Sequence, residues 1–266
     1  MLKCGLVELD ITPELGSIIP GQFYVRYSTG IKDNLYAKAA VLDNDKNIVA
    51  IVTIDALFVE DTSVKKIREK INKALGIPET NIMVSATHTH TGGPVCDWGD
   101  YIKKDNIYIE HMINKCVDAV ILAHKNARPA TISVGKGCEN GISFNRRFLM
   151  KDGTVRTNPG IKNPDIVKPV GPIDPDVVVA RIDDENGNII GVITNFACHL
   201  DVVGGTEYSA DYPGELSRML KKVYGNNIIS IFLTGTCGNI NHVDVSGKIE
   251  RSKDHYIKMG RILAGE

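Results

Sequence analysis

The sequence predicts an α/β protein in which mixed β-sheets pack together under flanking helices. Three observations point there: β-rich apolar runs alternate with stretches of helical periodicity, two segments have the punctuation of β-hairpins, and hairpin, helix and strand follow one another in that order twice.

The first unit begins in "LYAKAAVLDNDKNIVAIVTIDALF", two strand-like runs joined by the turn-rich residues 43–47. A helix follows. Asp61, Thr62 or Ser63 can cap it, Val64, Ile67, Ile71, Ala74 and Leu75 recur at helical spacing, and Gly76 with Pro78 ends it. "NIMVSAT" then reads as a buried strand. A second helix is predicted from about Asp105 to Asn126, with Ile109, Met112, Ile113, Cys116, Val117 and Val120 on one face and Pro129 beyond its end.

The second unit repeats the order. "DVVVARIDDENGNIIGVITNFACHLD" is a pair of strands around Asn186-Gly187, a strong hairpin signal. Leu216, Met219, Leu220 and Val223 mark a helix opened near Asp211-Tyr212-Pro213, and "NNIISIFLTGTCGN" is an apolar strand running into glycines. Asp43 aligns with Asp183, Asp55 with Asn195 and Asn81 with Asn227, so we expect an internal duplication of a hairpin-helix-strand unit. The expected organisation is one domain over 1–266, with pseudo-repeats at about 36–126 and 176–240.

Composition narrows the function classes. The 31 basic and 32 acidic residues leave a net charge of −1 with no long block of one sign, so nothing draws the chain to nucleic acid or an anionic membrane by long-range field. No apolar run has the length of a membrane span or the form of a signal sequence, and the chain reads as cytoplasmic. Six cysteines at wide, irregular spacings, with no C-x-x-C pair, are the pattern of reduced thiols.

The chemistry gathers where apolar strands end. "SATHTH", "FACHLD" and "LTGTCGNINH" all lie at such ends beside Gly-rich turns, where α/β folds build sites. In an extended segment residues two apart face the same way, so His88 and His90 would sit side by side with Cα atoms about 7 Å apart. That suits two ligands of one metal, one ligand beside a general acid, or two hydrogen-bonded histidines at a sheet edge. His199 ends a strand of the second unit and adds a third imidazole. Asp211, before Tyr212-Pro213, is a good helix N-cap.

Seven segments, "ELDITPELGSIIPGQF", "GIKDNLYAKAAVLDND", "VTIDAL", "SATHTHTGGP", "NRRFLMKDGTVRTNPG", "GPIDPDVVVARIDDENGNIIGVITNFACH" and "FLTGTCGNINH", resemble in order the landmarks of the neutral/alkaline non-lysosomal ceramidase family. The resemblance covers nearly the whole chain. It implies an α/β zinc amidohydrolase domain that cleaves the N-acyl bond of ceramide, with His88 and His199 as zinc ligands. It also places His90 beside them to bind or protonate the amide, and brings Asn145-Arg146 towards the pocket, where Arg146 would steady an oxyanion. In the mechanism so implied zinc activates water for attack on the acyl carbon, and Asp55 or Asp211 takes the proton.

Two departures qualify the resemblance. The family carries a Gly-Asp-Val-Ser-Pro type motif after the last strand, whose serine is implicated in the chemistry; here Asn241 of Gly238-Asn239-Ile240-Asn241-His242 stands in its place. The family also draws a glutamate and a tyrosine ligand from a later part of the domain, so Asp55, Asp201, Asp211 and His242 are candidates to complete the site within this chain. The expected substrate is a small-molecule amide or a ceramide-like sphingolipid. The alternatives are a thiol amidase built on Cys237 and a non-catalytic homologue that binds a metal or ligand.

Overall fold

Period-two alternation sets the centre of the fold. In the computed structural model, which describes residues 1–249 and 252–266, strands Lys3–Asp10 (β1), Tyr36–Asp43 (β2) and Ile48–Ile54 (β3) turn alternate side chains to one face. Val7, Ala39, Val41, Val52 and Ile54 on that face pack with helices Asp61–Leu75 (α1) and Asn106–Lys125 (α2). The opposite face presents Cys4, Leu6 and Leu42, which meet Ile182, Ile190 and Ile193 from the second half of the chain.

Strands Ile82–Ala86 (β4), Arg128–Cys138 (β5), Asp176–Asp184 (β6), Ile189–Phe196 (β7) and Ile229–Thr234 (β8) complete a sheet of order β8-β7-β6-β5-β1-β2-β3-β4. All neighbours are antiparallel except β3 with β4 and β7 with β8. In each half a hairpin therefore leads through a helix, α1 or Tyr212–Tyr224 (α3), to a strand parallel with the hairpin's second arm.

The halves are joined weakly along the sheet, for β1 and β5 pair only at Lys3↔Pro129 and Cys4↔Arg128. They instead lie face to face, with Lys38 Nζ donating to the Ser230 carbonyl at 2.9 Å and Thr234 Oγ1 to the Thr87 carbonyl at 2.7 Å. On the outer side of the second half, α3 and His255–Gly265 (α4) cover Val192, Phe196 and Phe232. The buried Lys38 ammonium lies 3.8 Å from Glu8, which also pairs with Lys221, so the charge between the layers is compensated.

Local signals hold at most helix ends. Asp105 accepts hydrogen bonds from the Ile107 and Tyr108 amides, and Gly76 takes the left-handed conformation that closes α1. At the start of α1 the extended residue is Glu60, with no side-chain cap, and the expected caps Asp61, Thr62 and Ser63 form the first turn. Every cysteine is a free thiol. Among the described residues no helix is long and apolar enough to cross a membrane.

Gly5 lets β1 approach α2: a Cβ there would lie 1.9 Å from the Ala123 carbonyl oxygen. Gly5→Ala should cost about 1–3 kcal/mol in urea unfolding. Gly135→Ala, whose Cβ meets open space, should leave stability unchanged or raised by up to about 1 kcal/mol.

Candidate metal centre

Backbone pairing carries His88 off the end of β4. The Thr87 amide donates to the Ile54 carbonyl and the His88 amide to the Ala56 carbonyl, and His88 turns to φ +73°, rarely adopted by a residue with a Cβ. Its Nδ1 lies 2.7 Å from the Leu57 carbonyl oxygen. A carbonyl can only accept, so Nδ1 carries a proton and Nε2 is the atom left to face the cluster.

From the other half, the segment after β7 brings in His199, whose amide donates to the Ile240 carbonyl. Its Nδ1 faces the Cys237 carbonyl at 3.4 Å, and its Nε2 meets His88 Nε2 at 3.0 Å. His90 completes the cluster, its amide held by the Leu200 carbonyl at 3.0 Å and its ring centroid 5.0 Å from those of both other histidines. One ring nitrogen from each lies within 4.8 Å of the others. The strand geometry expected for His88 and His90 is replaced by the turn at His88, yet the rings still converge.

These residues fit a metal ion on two counts. The two Nε2 atoms at 3.0 Å need one proton or one cation between them, and both ring nitrogens of His90 are buried without a hydrogen-bond partner of normal geometry. Three converging imidazole nitrogens are a donor set for zinc and similar divalent ions.

Burial disfavours charge on two of the imidazoles. It pushes both His90 and His199 down to about 4, against the favourable charge of Asp201. Asp201 itself would be raised by burial, but the His242 hydrogen bond at 3.0 Å and the charges of His242, His199 and His90 bring it to about 2. It is thus the carboxylate whose charge acts on the cluster. Arg146 is half-buried, donates from Nη2 to the Gly238 carbonyl at 2.6 Å, and its charge reaches His199.

The other sequence candidates are placed differently. Asp211 caps α3, accepting from the Tyr212 amide with one oxygen and the Val203 amide with the other. Burial pushes it up to about 7, and its φ of 60° with ψ of −155° lies in a region adopted almost only by glycine. Asp55 is buried where β3 ends, accepts from the Tyr36 amide and is pushed up to about 6, chiefly by burial. Neither belongs to the imidazole cluster. Asn241 is wholly buried, donating to Asn158 Oδ1 and accepting from the Val243 amide, so its side chain serves the loop. Cys237 Sγ lies 3.7 Å from His199 Nδ1, but burial raises its thiol above the ordinary range.

Arg26 went unnoticed in sequence because nothing marks it within "YVRYST". Its buried guanidinium donates to the carbonyls of His90 at 2.6 Å, Pro20 at 2.8 Å and Gly205 at 2.8 Å, fixing the loop behind His90. Gly21, at φ +101°, passes so close that a Cβ would lie 2.8 Å from His90 Cα.

Comparison with known proteins matches residues 10–242 to the family described as neutral/alkaline non-lysosomal ceramidase, N-terminal. A neutral ceramidase of Pseudomonas aeruginosa is 28% identical over 208 residues, covering 74% of this chain and 30% of that protein. Neutral ceramidase A of Dictyostelium discoideum is 26% identical over 250 residues, 88% of this chain and 33% of that protein. The crystal structure of the Pseudomonas aeruginosa neutral ceramidase superposes with a TM-score of 0.80 at 20% identity, over 99% of this chain and 44% of that one, a likeness of fold. The chain spans about a third of the length of the curated relatives it matches.

Because His90 and His199 titrate near 4 when folded and near 6.5 when unfolded, the unfolded chain binds more protons between those values. Their contribution to the stability of the metal-free chain is fully present above about 6.5 and is lost as pH falls towards about 4. Urea midpoints across that window should fall with acidity, and less steeply in His90→Gln; an equal slope would refute the assignment.

Proposed function

The chain belongs to the neutral/alkaline non-lysosomal ceramidase family, and from that premise we propose that it is a metal-dependent amidohydrolase acting on an N-acyl amide. The observation that carries the reading is the opposition of His88 and His199 Nε2 at 3.0 Å, with each Nδ1 turned to a backbone carbonyl. In this reading His88 and His199 hold the ion, with zinc the best match to a nitrogen-rich donor set. Bound there, it supplies Lewis acidity and a lowered pKa for coordinated water.

The chain's own groups do the rest. His90, whose burial disfavours its charged form, binds or protonates the reacting amide. Arg146 offers a guanidinium to negative charge developing on the acyl oxygen. Asp201, paired with His242, stays ionised and steadies positive charge developing on the cluster. Asp211, with both oxygens on backbone amides, acts by holding the loop from 203 to the start of α3. The same reading takes 1–266 as one domain with pseudo-repeats, supported by the matched hairpin, helix and parallel strand in each half.

The substrate class proposed is an N-acyl amide, sphingolipid amides included. The thiol alternative has one observation in favour, the 3.7 Å approach of Cys237 to His199, and one against, the raised thiol pKa. Iodoacetamide should leave activity intact while a chelator abolishes it.

After zinc loading and desalting, the wild-type chain should retain one zinc by elemental analysis. His88→Ala and His199→Ala should retain none and show no turnover on a panel of N-acyl amides. His90→Ala should keep its zinc and lose about 10²–10⁴-fold in rate. Stoichiometric zinc in His199→Ala overturns the ligand assignment, and a zinc-loaded chain inert to the whole panel overturns the enzymatic one.

A further inference from the structure

Beside the imidazoles the surface opens into a cavity of about 220 Å³ whose walls are almost wholly apolar. Leu57, Phe58, Ile102, Phe23 and Trp98 line it, and the rings of His88 and His90 stand at one side. No charged residue faces it, so its occupant is neutral. Phe23 and Trp98 meet edge to face at its mouth, ring centroids 5.6 Å apart, while 79% and 50% exposed respectively.

Hydrogen bonds fix the backbone on two sides of this cavity. Arg26 ties the carbonyl of Pro20, a lining residue, to that of His90. Gly21 lies against the His90 backbone. Across the cavity, Trp98 and Ile102 exchange backbone hydrogen bonds of 3.0 and 3.2 Å. A cavity of about 150 Å³ accommodates benzene, and pockets for drug-sized ligands begin near 300 Å³. By proportion this one holds roughly nine carbon atoms.

We propose that this cavity receives the apolar group of the amide substrate and that Phe23 and Trp98 limit that group to roughly nine carbons, a medium-length acyl chain or an aryl group, in preference to a full-length lipid tail. The inference rests on the hydrolase reading for the orientation of the amide, since the histidines lie at the polar end of the cavity. Occupancy itself requires neither metal nor turnover.

Trp98 is the sole tryptophan of the chain and reports directly on the cavity. The chelator-treated full chain would be titrated with acetyl, butanoyl, hexanoyl, octanoyl, decanoyl and tetradecanoyl glycinamides while Trp98 emission is followed. Half-saturation should tighten by about fourfold per methylene while the chain is still entering the cavity, then level off between octanoyl and decanoyl. Ile102→Phe, which fills the cavity, should move the plateau to shorter chains, and Phe23→Ala, on an exposed side chain, should move it to longer ones. Tightening that continues unbroken to tetradecanoyl, or an emission unchanged by every amide, overturns the proposal. A plateau in a chain that binds no zinc would uphold it while the metal reading fails.

Discussion

Two imidazole nitrogens held 3.0 Å apart, from opposite halves of the chain, are a constraint the fold must satisfy, and much of the molecule does so. Each ring is turned by a carbonyl behind it, of Leu57 or Cys237, and each backbone is fixed by a hydrogen bond to another segment. The Thr234 hydroxyl bonds the Thr87 carbonyl, so β8 of one half is fastened one residue before the first histidine of the other. A cation placed between the two nitrogens would satisfy both at once, beside a His90 ring whose burial disfavours its charged form.

Strain is placed beside the same centre. His88 at φ +73° and Asp211 at φ 60° are both in conformations that a side chain disfavours, and both are over-determined by hydrogen bonds. At Asp211 the carboxylate is the means: its two oxygens hold backbone amides on either side of the bend that leads into α3. The sequence offered Asp211 both as a cap and as a base, and the cap is the role the structure displays, because a helix start uses the same residue types as proton transfer does.

Much of this was legible in the sequence wherever a local rule decides the structure. The α2 boundaries follow from Asp105 and the apolar stripe through Val120, and the hairpins from turn residues at 43–47 and around Asn186-Gly187. Strands β1 and β5 were not legible, although they join the two halves. β5 contains Gly135 and Gly137 and is largely exposed, so its signal is weak; β1, KCGLVELD, is interrupted by Gly5 and has no turn residues bounding it on its N-terminal side. The histidines stood out because imidazoles at strand ends are unusual. Asp201 could not be separated from Asp55 and Asp211 by sequence, since the choice depends on which carboxylate the fold turns towards His242. Arg26 and the Phe23–Trp98 pair are matters of three-dimensional placement, with no spacing to mark them.

The short junction between β1 and β5 has a consequence for the order of assembly. Among the described residues only two residue pairs join the halves along the large sheet, and a two-residue parallel pairing of Gly30–Ile31 with Glu207–Tyr208 is the other ladder between them, so most of each half's strand pairing is internal. The histidines nevertheless come from both, 111 residues apart, and meet only when the two layers have docked. Loop closure over that distance carries a large entropic cost and places the centre late in folding. An ion held there acts as a clasp, adding its binding free energy to the docked arrangement alone and leaving each half's internal stability untouched. Amide exchange at the layer interface would then slow on metal binding, while exchange from the outer helices would stay as it was.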